Sequence, residues 1–168
     1  MMLEYLLAIF VFLYLVQIVV VLPAILLPRD VMDSTARPAM SVVIAARDED
    51  QNLEACLESV LHQTYPNDLF EVIVINDHST DGTESICRKF ASQYPNFSYL
   101  NAREDQQLRG KTNALDQGIE KARGDVILVT DADCTVPTTW VEWTAKRYGK
   151  AVGIVGGLTL QKASTWFD

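Results

Sequence analysis

The first hydrophobic pattern along the chain is a long run without charge. The segment Tyr5–Leu22 contains no charged side chain, Gln17 is its only strongly polar one, and the apolar character continues to Leu27. At about 1.5 Å per residue, a helix of this length crosses a hydrocarbon layer of roughly 30 Å. A cleaved signal peptide would have a basic flank and a shorter apolar run, whereas the flank here carries Glu4. The pattern therefore predicts a retained transmembrane helix over residues 3–27.

The charges beside this helix predict its orientation. Arg29 and Arg37 follow the apolar run, and no Lys or Arg precedes it. Because positively charged flanks stay on the cytoplasmic side of a membrane, we expect the N-terminus outside and the rest of the chain in the cytoplasm. The pattern thus predicts a single-pass protein of the cell (inner) membrane. Residues 28–39, which are rich in Pro, Asp, Ser and Thr, are predicted to be a linker.

After the linker, short apolar runs alternate with helical patterns. Four runs have the length and apolar character of buried strands: residues 41–46, 70–75, 97–100 and 126–130. Between them, apolar residues recur with the period of an α-helix. The predicted inward-facing positions are Leu53, Cys56, Leu57, Val60 and Leu61, then Ile86, Phe90 and Ala91, then Leu115, Ile119 and Ala122. A further helix is predicted over residues 138–148, and a strand interrupted by glycines over 151–160.

This alternation predicts an α/β domain over residues 40–168. Strands that alternate with helices form a mostly parallel sheet with helices on both faces. Ligands of such sheets bind beyond the carboxyl ends of the strands. Acidic segments follow three of the predicted strands, at 47–49, 77–81 and 131–133. We therefore expect these segments to converge on one site.

Composition limits the partners of such a site. The 168-residue chain has a net charge of −8 and a pI of about 4.7, and its basic residues are scattered, which argues against a nucleic-acid partner. A nucleotide remains compatible, because a divalent cation can offset its phosphate charge. Three widely spaced cysteines show neither zinc-site spacing nor a disulfide framework, which indicates thiols in or near the core and a reducing compartment.

The residues at the strand ends each allow two interpretations. Asp131 and Asp133 could share a divalent cation and leave positions open for phosphates, or they could be solvated turn residues. Asp77 could accept hydrogen bonds from a nucleotide base or cap the following helix. Lys111, at the start of a predicted helix, could reach a phosphate. A Walker-A motif is not formed, because Asp105 stands where its first glycine is required, and no Gly-x-Gly-x-x-Gly follows the first strand.

Taken together, these segments resemble the family-2 glycosyltransferases with the GT-A fold. The resemblance rests on SVVIAARDEDQNLEACLESVLHQTYP, EVIVINDHSTDGT, GKTNALDQGIEKARGDVILVTDADC and VPTTW, which occur in the family's order and approximate spacing. It covers nearly everything between residues 40 and 160. Four linked motifs are far more specific than any one of them.

The resemblance implies a set of residues that bind a nucleotide sugar: Ala45, Arg47, Glu49, Asp77, Lys111 and Asp131. The first three match the strand-end segment that cradles the nucleoside. Asp77 matches the carboxylate that reads the base, often uracil. Lys111 matches a region near the diphosphate.

The resemblance also implies a divalent cation, Mg²⁺ or Mn²⁺, as cofactor. Asp131 and Asp133 match the metal-binding Asp-x-Asp (DxD) pair, with Asp133 as the more direct ligand. The chain departs from the family at Asn76 and His78, where Asp and Gly are more usual, and at residues 47–48, where Tyr-Asn is frequent. These departures leave the base open, with a UDP-sugar favoured.

The implied activity is an inverting, metal-dependent transfer of a sugar from a nucleotide-diphosphate donor to an envelope polysaccharide or lipid acceptor. Family members carry a general base further downstream, and processive relatives carry a Gln-x-x-Arg-Trp segment, and this sequence contains neither. We therefore expect an N-terminal portion of a longer enzyme, with the general base beyond Asp168. The alternative is a truncated, non-catalytic, membrane-tethered module that binds a nucleotide sugar. A nucleotidyltransferase would need a Gly-rich basic loop after the first strand, which residues 47–50 do not provide.

Overall fold

The computed structural model describes residues 2–26, 37–105, 107–148 and 152–157, which fall into two units. The first unit contains one helix, α1 (Met2–Leu26). Its segment Tyr5–Leu22 is exposed at every position and is long and apolar enough to cross a membrane, by length and composition. The predicted span of 3–27 matches this helix except for residue 27, which lies outside the described residues, as do residues 28–36 of the predicted linker.

The second unit contains alternating strands and helices. Their bounds are β1 (Met40–Ala46), α2 (Leu53–Leu61), β2 (Phe70–Asn76), α3 (Thr83–Gln93), β3 (Phe97–Asn101), α4 (Gly110–Lys121), β4 (Val126–Asp131) and α5 (Trp140–Arg147). The first four predicted strands and the four predicted helices are therefore confirmed. Most of the observed bounds lie within one or two residues of the predicted ones.

The strands form one parallel sheet in the order β3-β2-β1-β4. β1 lies between β2 and β4, so that Ala46 pairs with Asn76 and Ala45 pairs with Asp131. This register places the carboxyl ends of the three strands at the same edge of the sheet. The predicted fold class, a parallel α/β sheet, is confirmed.

Helices cover both faces of the sheet. On one face, α2, α3 and α5 bury a large core against alternate residues of the strands. All five predicted inward positions of α2 are buried, because they recur at the spacing of one helix face. On the other face, α4 packs on a smaller core formed by Val43, Ile73 and Ile75.

The face of α4 that meets the sheet differs from the predicted one. Ala114 and Gly118 are buried there, whereas Leu115 is partly buried and Ile119 is 45% exposed. A Cβ atom at Gly118 would lie 2.4 Å from side-chain carbons of both Val43 and Ile75. Small residues let the helix axis approach the sheet closely, so the larger apolar residues are displaced to the side.

Two smaller predictions are also wrong. Ala91 of α3 is exposed, and Cys87 occupies the buried face together with Phe90. Residues 152–157 do not form the predicted strand, and the remainder of that predicted segment lies outside the described residues. Built Cβ atoms at Gly153, Gly156 and Gly157 meet nothing within 4 Å. Glycine-rich segments gain little from strand pairing, because they have no side chains to pack.

Candidate functional site

The candidate site lies where β1, β2 and β4 end. Asp77 follows β2, Arg47 follows β1, and Asp131 is the last residue of β4. The backbone N–H of Asp77 donates to the carbonyl of Ala46 at 2.8 Å, which holds the two loops together. Two strand spacings, about 10 Å, separate β2 from β4. That span suits a ligand with a base at one end and phosphates at the other.

Asp77 is a buried carboxylate with one open oxygen. Its side chain is only 7% exposed, and its Oδ1 lies 3.0 Å from Nδ1 of His78. Its Oδ2 lies 3.9 Å from a guanidinium nitrogen of Arg47, beyond hydrogen-bond distance. Within the described part of the chain, no group donates a hydrogen bond to Oδ2. No buried side-chain nitrogen or oxygen of the described residues lacks a hydrogen-bond partner, so Oδ2 of Asp77 is accessible to solvent and open to a ligand.

The N-terminus of α4 lies between Asp77 and Asp131. Gly110, the first residue of α4, has a φ of +55°, and a Cβ built on it would lie 4.0 Å from Oδ2 of Asp77. The next residue, Lys111, places its Nζ 2.5 Å from Oδ1 of Asp131. Lys111 and Asp131 are both about half exposed, so a ligand can reach them. The start of a helix carries partial positive charge, which adds to that of Lys111.

Asp133 lies two residues after β4 and is exposed. Its Oδ1 is 3.6 Å from Sγ of Cys134. Among the residues that the structure describes, no three His, Cys, Asp or Glu side chains are grouped to hold a metal ion. The predicted DxD pair, Asp131 and Asp133, therefore offers two accessible carboxylates, and a cation held there would take its other ligands from phosphate and water.

A buried thiol contacts the end of β4, where the predicted DxD pair begins. Sγ of Cys56 lies 3.5 Å from the carbonyl oxygen of Asp131. Burial, and then the nearby Cys134 and Asp133, raise the pKa of Cys56 to about 12, so it remains a neutral donor. Cys87 is also buried, and both thiols are free. The interpretation as core thiols is confirmed for Cys56 and Cys87, whereas Cys134 is partly exposed.

The loops after β1 and β2 are held together by hydrogen bonds in both directions. The backbone N–H of Thr80 donates to Oδ1 of Asp48 at 2.7 Å, and that of Glu49 donates to Oγ1 of Thr83 at 2.9 Å. The backbone N–H of Asp50 donates to Oδ2 of Asp81 at 3.0 Å. Thr83 is fully buried, and its hydrogen bond with Glu49 is partly buried.

Two residues of these loops have left-handed backbone conformations. Asp48 has a φ of 53° and His78 a φ of 58°. Such angles are uncommon outside glycine, although Asp, Asn and His adopt them more readily than other residues. The cross-loop hydrogen bonds offset this cost, and the strained residues flank Arg47 and Asp77.

The loop between β3 and α4 is fixed by buried amides. The side chains of Asn113 and Gln117 donate to the carbonyl of Arg103 at 2.7 and 2.9 Å. The Gln117 side chain also accepts the backbone N–H of Arg103 at 2.9 Å. Both amides are buried on α4. These two side chains therefore fix the backbone of Arg103, from which the loop continues to Lys111.

The predicted site residues thus occupy different parts of this arrangement. Direct contacts link Arg47 to Asp77 and Lys111 to Asp131. The N-terminus of α4 lies between these two pairs. Ala45 lies on β1 between them and packs toward the α4 face. The backbone N–H of Glu49 donates to Thr83 on the neighbouring loop, and the Glu49 carboxylate accepts from the side chain of Asn52 at 3.0 Å. The Asp133 carboxylate contacts Sγ of Cys134 at 3.6 Å.

Sequence reasoning missed two residues of this arrangement. The sequence marks His78 only as a departure from the family's more usual Gly, yet its imidazole contacts Asp77, and the only signal for that contact is that the two residues are neighbours in sequence. Thr83 reaches Glu49 across 34 residues, and nothing in the local sequence marks that contact.

A cavity of about 600 Å³ lies at the opposite edge of the sheet, where strands begin. Its lining residues include His62, Asn67, Tyr94 and Asn96. Ligands of parallel α/β sheets bind at the carboxyl ends of the strands. The cluster around Asp77 is therefore the better candidate.

The chain is similar to curated glycosyltransferases over much of its length. It is 37% identical over 121 residues to "Glycosyltransferase AglE" of Haloferax volcanii, which covers 71% of this chain and 39% of that protein. It is 36% identical over 98 residues to "Probable glycosyltransferase YdaM" of Bacillus subtilis, which covers 58% of this chain and 23% of that protein. The chain therefore spans under two fifths of the length of these relatives.

Solved structures confirm the GT-A-type fold. The mannosyltransferase PcManGT of Pyrobaculum calidifontis, in complex with GDP-Man and Mn²⁺, matches with a TM-score of 0.66 and 30% identity. That match covers 77% of this chain and 38% of PcManGT. TarS of S. aureus, in complex with UDP-GlcNAc, matches with a TM-score of 0.55 over 63% of this chain and 30% of that one. At 24% identity the TarS match shows the fold alone.

A family comparison agrees with the sequence motifs and the sheet. The segment 41–167 matches the family model of Glycosyl transferase family 2, which is most of the chain outside α1 and the linker. This match includes every residue of the candidate site, from Ala45 to Asp133. The chain belongs to Glycosyl transferase family 2.

Proposed function

We propose that this chain forms the nucleotide-sugar-binding part of a membrane-anchored glycosyltransferase. The observation that carries the proposal is the placement of α4. Its first two residues lie between Asp77, a buried carboxylate with an open oxygen, and Asp131, which Lys111 contacts. A nucleotide sugar has a base that donates hydrogen bonds and a diphosphate that needs positive charge. The two ends of the site match these two demands.

The base is assigned to Asp77 and the diphosphate to Lys111. A ring N–H of the base would donate to Oδ2 of Asp77, the carboxylate oxygen that no described group engages. Ala45, Arg47 and Glu49 would line the nucleoside, since they lie at the end of β1 and just beyond it, where Ala46 and Arg47 contact Asp77. Lys111 and the N-terminus of α4 would stabilise the phosphates. We favour a UDP-sugar as the donor.

The DxD pair is assigned to a divalent cation, Mg²⁺ or Mn²⁺. The residues fit such an ion, because two accessible carboxylate oxygens are hard ligands and a cationic group, the ammonium of Lys111, already lies on Asp131. A bound cation would neutralise the charge that develops on the departing diphosphate. PcManGT, which is similar to this chain, was solved with GDP-Man and Mn²⁺, and this supports the assignment.

The transfer step is proposed for the whole protein. By its family resemblance the reaction inverts the anomeric carbon in one displacement, with an envelope glycan or lipid as acceptor. α1 would anchor the protein in the inner membrane with the N-terminus outside. The domain would then face the cytoplasm, where nucleotide sugars are available. The acceptor and the general base are not assigned to residues of this chain.

Calorimetric titration tests the binding part of this proposal. The whole chain in detergent should bind UDP more tightly with Mn²⁺ than with EDTA. Asp133→Ala should remove that metal-dependent difference, because one of two carboxylate ligands is lost. Asp68→Ala, an exposed carboxylate in the turn before β2, is the matched control and should bind as the unaltered chain does. Metal-dependent binding that survives Asp133→Ala would reject the DxD assignment.

A transfer assay separates an enzyme from a binding module. Membranes that contain the whole protein should transfer radiolabelled sugar from a UDP-sugar to a glycan or lipid fraction. Binding without transfer, in the whole protein, would instead favour the non-catalytic module.

A further inference from the structure

The exposed face of α5 carries a large aromatic ring beside two cations. Val141 and Ala145 bury the opposite face of this helix in the core, whereas Trp143 is 51% exposed. Outside α1, Trp143 is the one aromatic side chain of the described residues that is exposed. The guanidinium of Arg147 lies 4.5 Å from the centre of its ring, and Nζ of Lys146 lies 5.6 Å from it. The spacing of three and four residues places all three side chains on one face of the helix.

The charge of this face is opposite in sign to that of the whole chain. The chain has a net charge of −8, yet its segment 143–167 contains Lys and Arg but no Asp or Glu. Glu142 is the nearest acidic residue, and Nζ of Lys146 at 3.0 Å and the hydroxyl of Thr64 at 2.8 Å already engage its carboxylate. These hydrogen bonds, and more weakly the charge of Arg37, lower the pKa of Glu142. One carboxylate therefore faces three cations here.

The chain that comes from α1 enters the α/β domain beside α5. The hydroxyl of Tyr65 donates to the carbonyl of Pro38 at 2.7 Å. The backbone N–H of the preceding residue, Thr64, donates to the carbonyl of Thr138 at 2.8 Å, two residues before α5 begins. One short turn thus contacts both the incoming chain and the start of α5.

Covalent geometry keeps this entry point near the proposed membrane helix. Residues 27–36 join α1 to Arg37, and an extended chain spans at most about 3.6 Å per residue. Arg37 therefore lies within roughly 40 Å of the end of α1. When α1 crosses a bilayer, the lipid surface is a partner that the chain itself supplies to α5.

We propose that α5 docks on the surface of the bilayer that α1 crosses, with Trp143 among the headgroups and Lys146 and Arg147 on anionic lipids. Tryptophan favours this interface because its ring is apolar and its N–H is polar. Lys and Arg near the surface attract anionic headgroups and extend their apolar stems along the ring. The inference rests on the anchor in the proposed function, because α1 brings the lipid within reach, and it is independent of what the candidate site binds.

Quenching of tryptophan fluorescence by lipids brominated in their acyl chains tests this docking. All three tryptophans of the chain lie outside α1, so the membrane helix contributes no signal. The whole chain would be reconstituted in vesicles of brominated phosphatidylcholine, with and without phosphatidylglycerol. Trp143→Phe identifies the signal of this ring, and Lys146→Gln combined with Arg147→Gln removes the two cations.

The matched control is Arg88→Gln combined with Lys89→Gln, which removes two adjacent exposed cations from α3. All substituted side chains are partly or largely exposed, so the melting temperatures should hardly change. Quenching of the unaltered chain should be stronger with phosphatidylglycerol and should be largely absent from Trp143→Phe. The α5 double variant should lower the ratio of quenched to unquenched Trp143 by about tenfold, whereas the α3 double variant should leave it unchanged.

Quenching that is equal in both lipids, that persists in Trp143→Phe, or that falls equally in both double variants would overturn the docking. A Trp143 ring that is shielded from soluble acrylamide but not quenched by the lipid would also overturn it, in favour of a protein partner. Carbonate extraction of the same vesicles tests the anchor separately. Release of the chain would overturn the anchor together with the docking, whereas absent quenching in a retained chain would overturn the docking alone.

Discussion

Lys111 and Asp131 join the helix side of the candidate site to its strand side. Nζ of Lys111 lies 2.5 Å from Oδ1 of Asp131, and both side chains are more than half exposed. Ion pairs as exposed as this one contribute little to stability, about 0–1 kcal/mol. The contact matters because it places the ammonium of Lys111 at Asp131, one of the two carboxylates assigned to the metal.

Replacing Lys111 should therefore affect binding far more than stability. Lys111→Gln is expected to weaken UDP binding by about tenfold or more, because a charge-assisted contact to phosphate is lost. The melting temperature should hardly change. Isothermal titration and thermal unfolding of the whole chain would measure the two effects.

The control for this variant is Lys89→Gln. Nζ of Lys89 lies 2.5 Å from Oε1 of Glu54, in an equally exposed pair that joins α3 to α2 away from the site. Its loss should leave UDP binding unchanged. If the two variants weakened UDP binding equally, Lys111 would have no special role at the phosphates.

The sequence predicted the arrangement of the strands better than the face of each helix. Strands buried on both faces show as continuous apolar runs, and α2 has five apolar residues on one face, all of them buried. α4 has a different design, because its sheet-facing positions are the small residues Ala114 and Gly118. A pattern of large apolar residues therefore pointed to Leu115 and Ile119, which lie beside the contact. Small residues carry a weak hydrophobic signal even where they pack most closely.

The sequence predicted only those site residues whose positions follow from the ends of the strands. Asp77 and Asp131 follow buried strands, and parallel pairing brings such residues to one edge. The contact of Lys111 with Asp131 depends on where α4 begins. The contact of Thr83 with Glu49 depends on how the loops after β1 and β2 pack against each other. Contacts of this kind arise from tertiary packing, so local sequence does not indicate them.

The close approach of α4 gives a second prediction. Gly118→Ala would place a methyl group 2.4 Å from carbons of Val43 and Ile75, both fully buried. Alanine favours a helix by about 1 kcal/mol over glycine. Overpacking costs about 1–3 kcal/mol, and the stiff side chain of Val43 cannot move aside. We expect a net loss of stability in chemical denaturation.

Gly153→Ala is the matched substitution, since a Cβ there meets nothing within 4 Å. It should change the free energy of unfolding by less than about 0.5 kcal/mol. A Gly118→Ala chain as stable as the parent would show that α4 does not pack as closely as described.

The contact between the two site loops gives a third prediction. Thr83→Val keeps the shape of a fully buried side chain but removes the oxygen that accepts the Glu49 N–H at 2.9 Å. Leaving that N–H without a partner should cost about 1–3 kcal/mol. Loosening of the loop should also weaken UDP binding. Both effects can be measured by denaturant unfolding and titration.

Thr80→Val tests whether burial is the reason for this effect. The Thr80 hydroxyl donates to Oδ1 of Asp48 at 3.2 Å at an exposed position, and its stronger backbone bond to the same oxygen remains. The loss should therefore be below about 0.5 kcal/mol. Equal losses of stability in the two threonine variants would show that the buried position of Thr83 does not make its hydrogen bond to Glu49 more important.

At the edge of the sheet opposite the candidate site, Glu71 joins β2 to the turn before β4. Its carboxylate accepts from the Ser41 hydroxyl at 2.8 Å and from the backbone N–H of Arg123 at 2.7 Å. The guanidinium of Arg123 adds a contact at 2.7 Å. Burial by itself raises the pKa of Glu71, but the hydrogen bonds from Arg123 and Ser41 outweigh it and hold the pKa below its ordinary value of 4.5.

Glu71 should accordingly make stability depend on pH in the acid range. A carboxyl whose pKa is lowered by folding contributes stability above its unfolded pKa of 4.5, and this is lost as the pH falls through the folded value. Glu71→Gln should therefore cost about 1–3 kcal/mol near neutral pH, because charge-assisted bonds are lost. The difference between the two proteins should shrink as the pH falls below 4.5, and denaturant unfolding across that range would measure it. Other carboxyl groups titrate in both proteins and cancel in the comparison. A difference that stayed constant, or grew, as the pH fell would show that the Glu71 charge does not stabilise the fold.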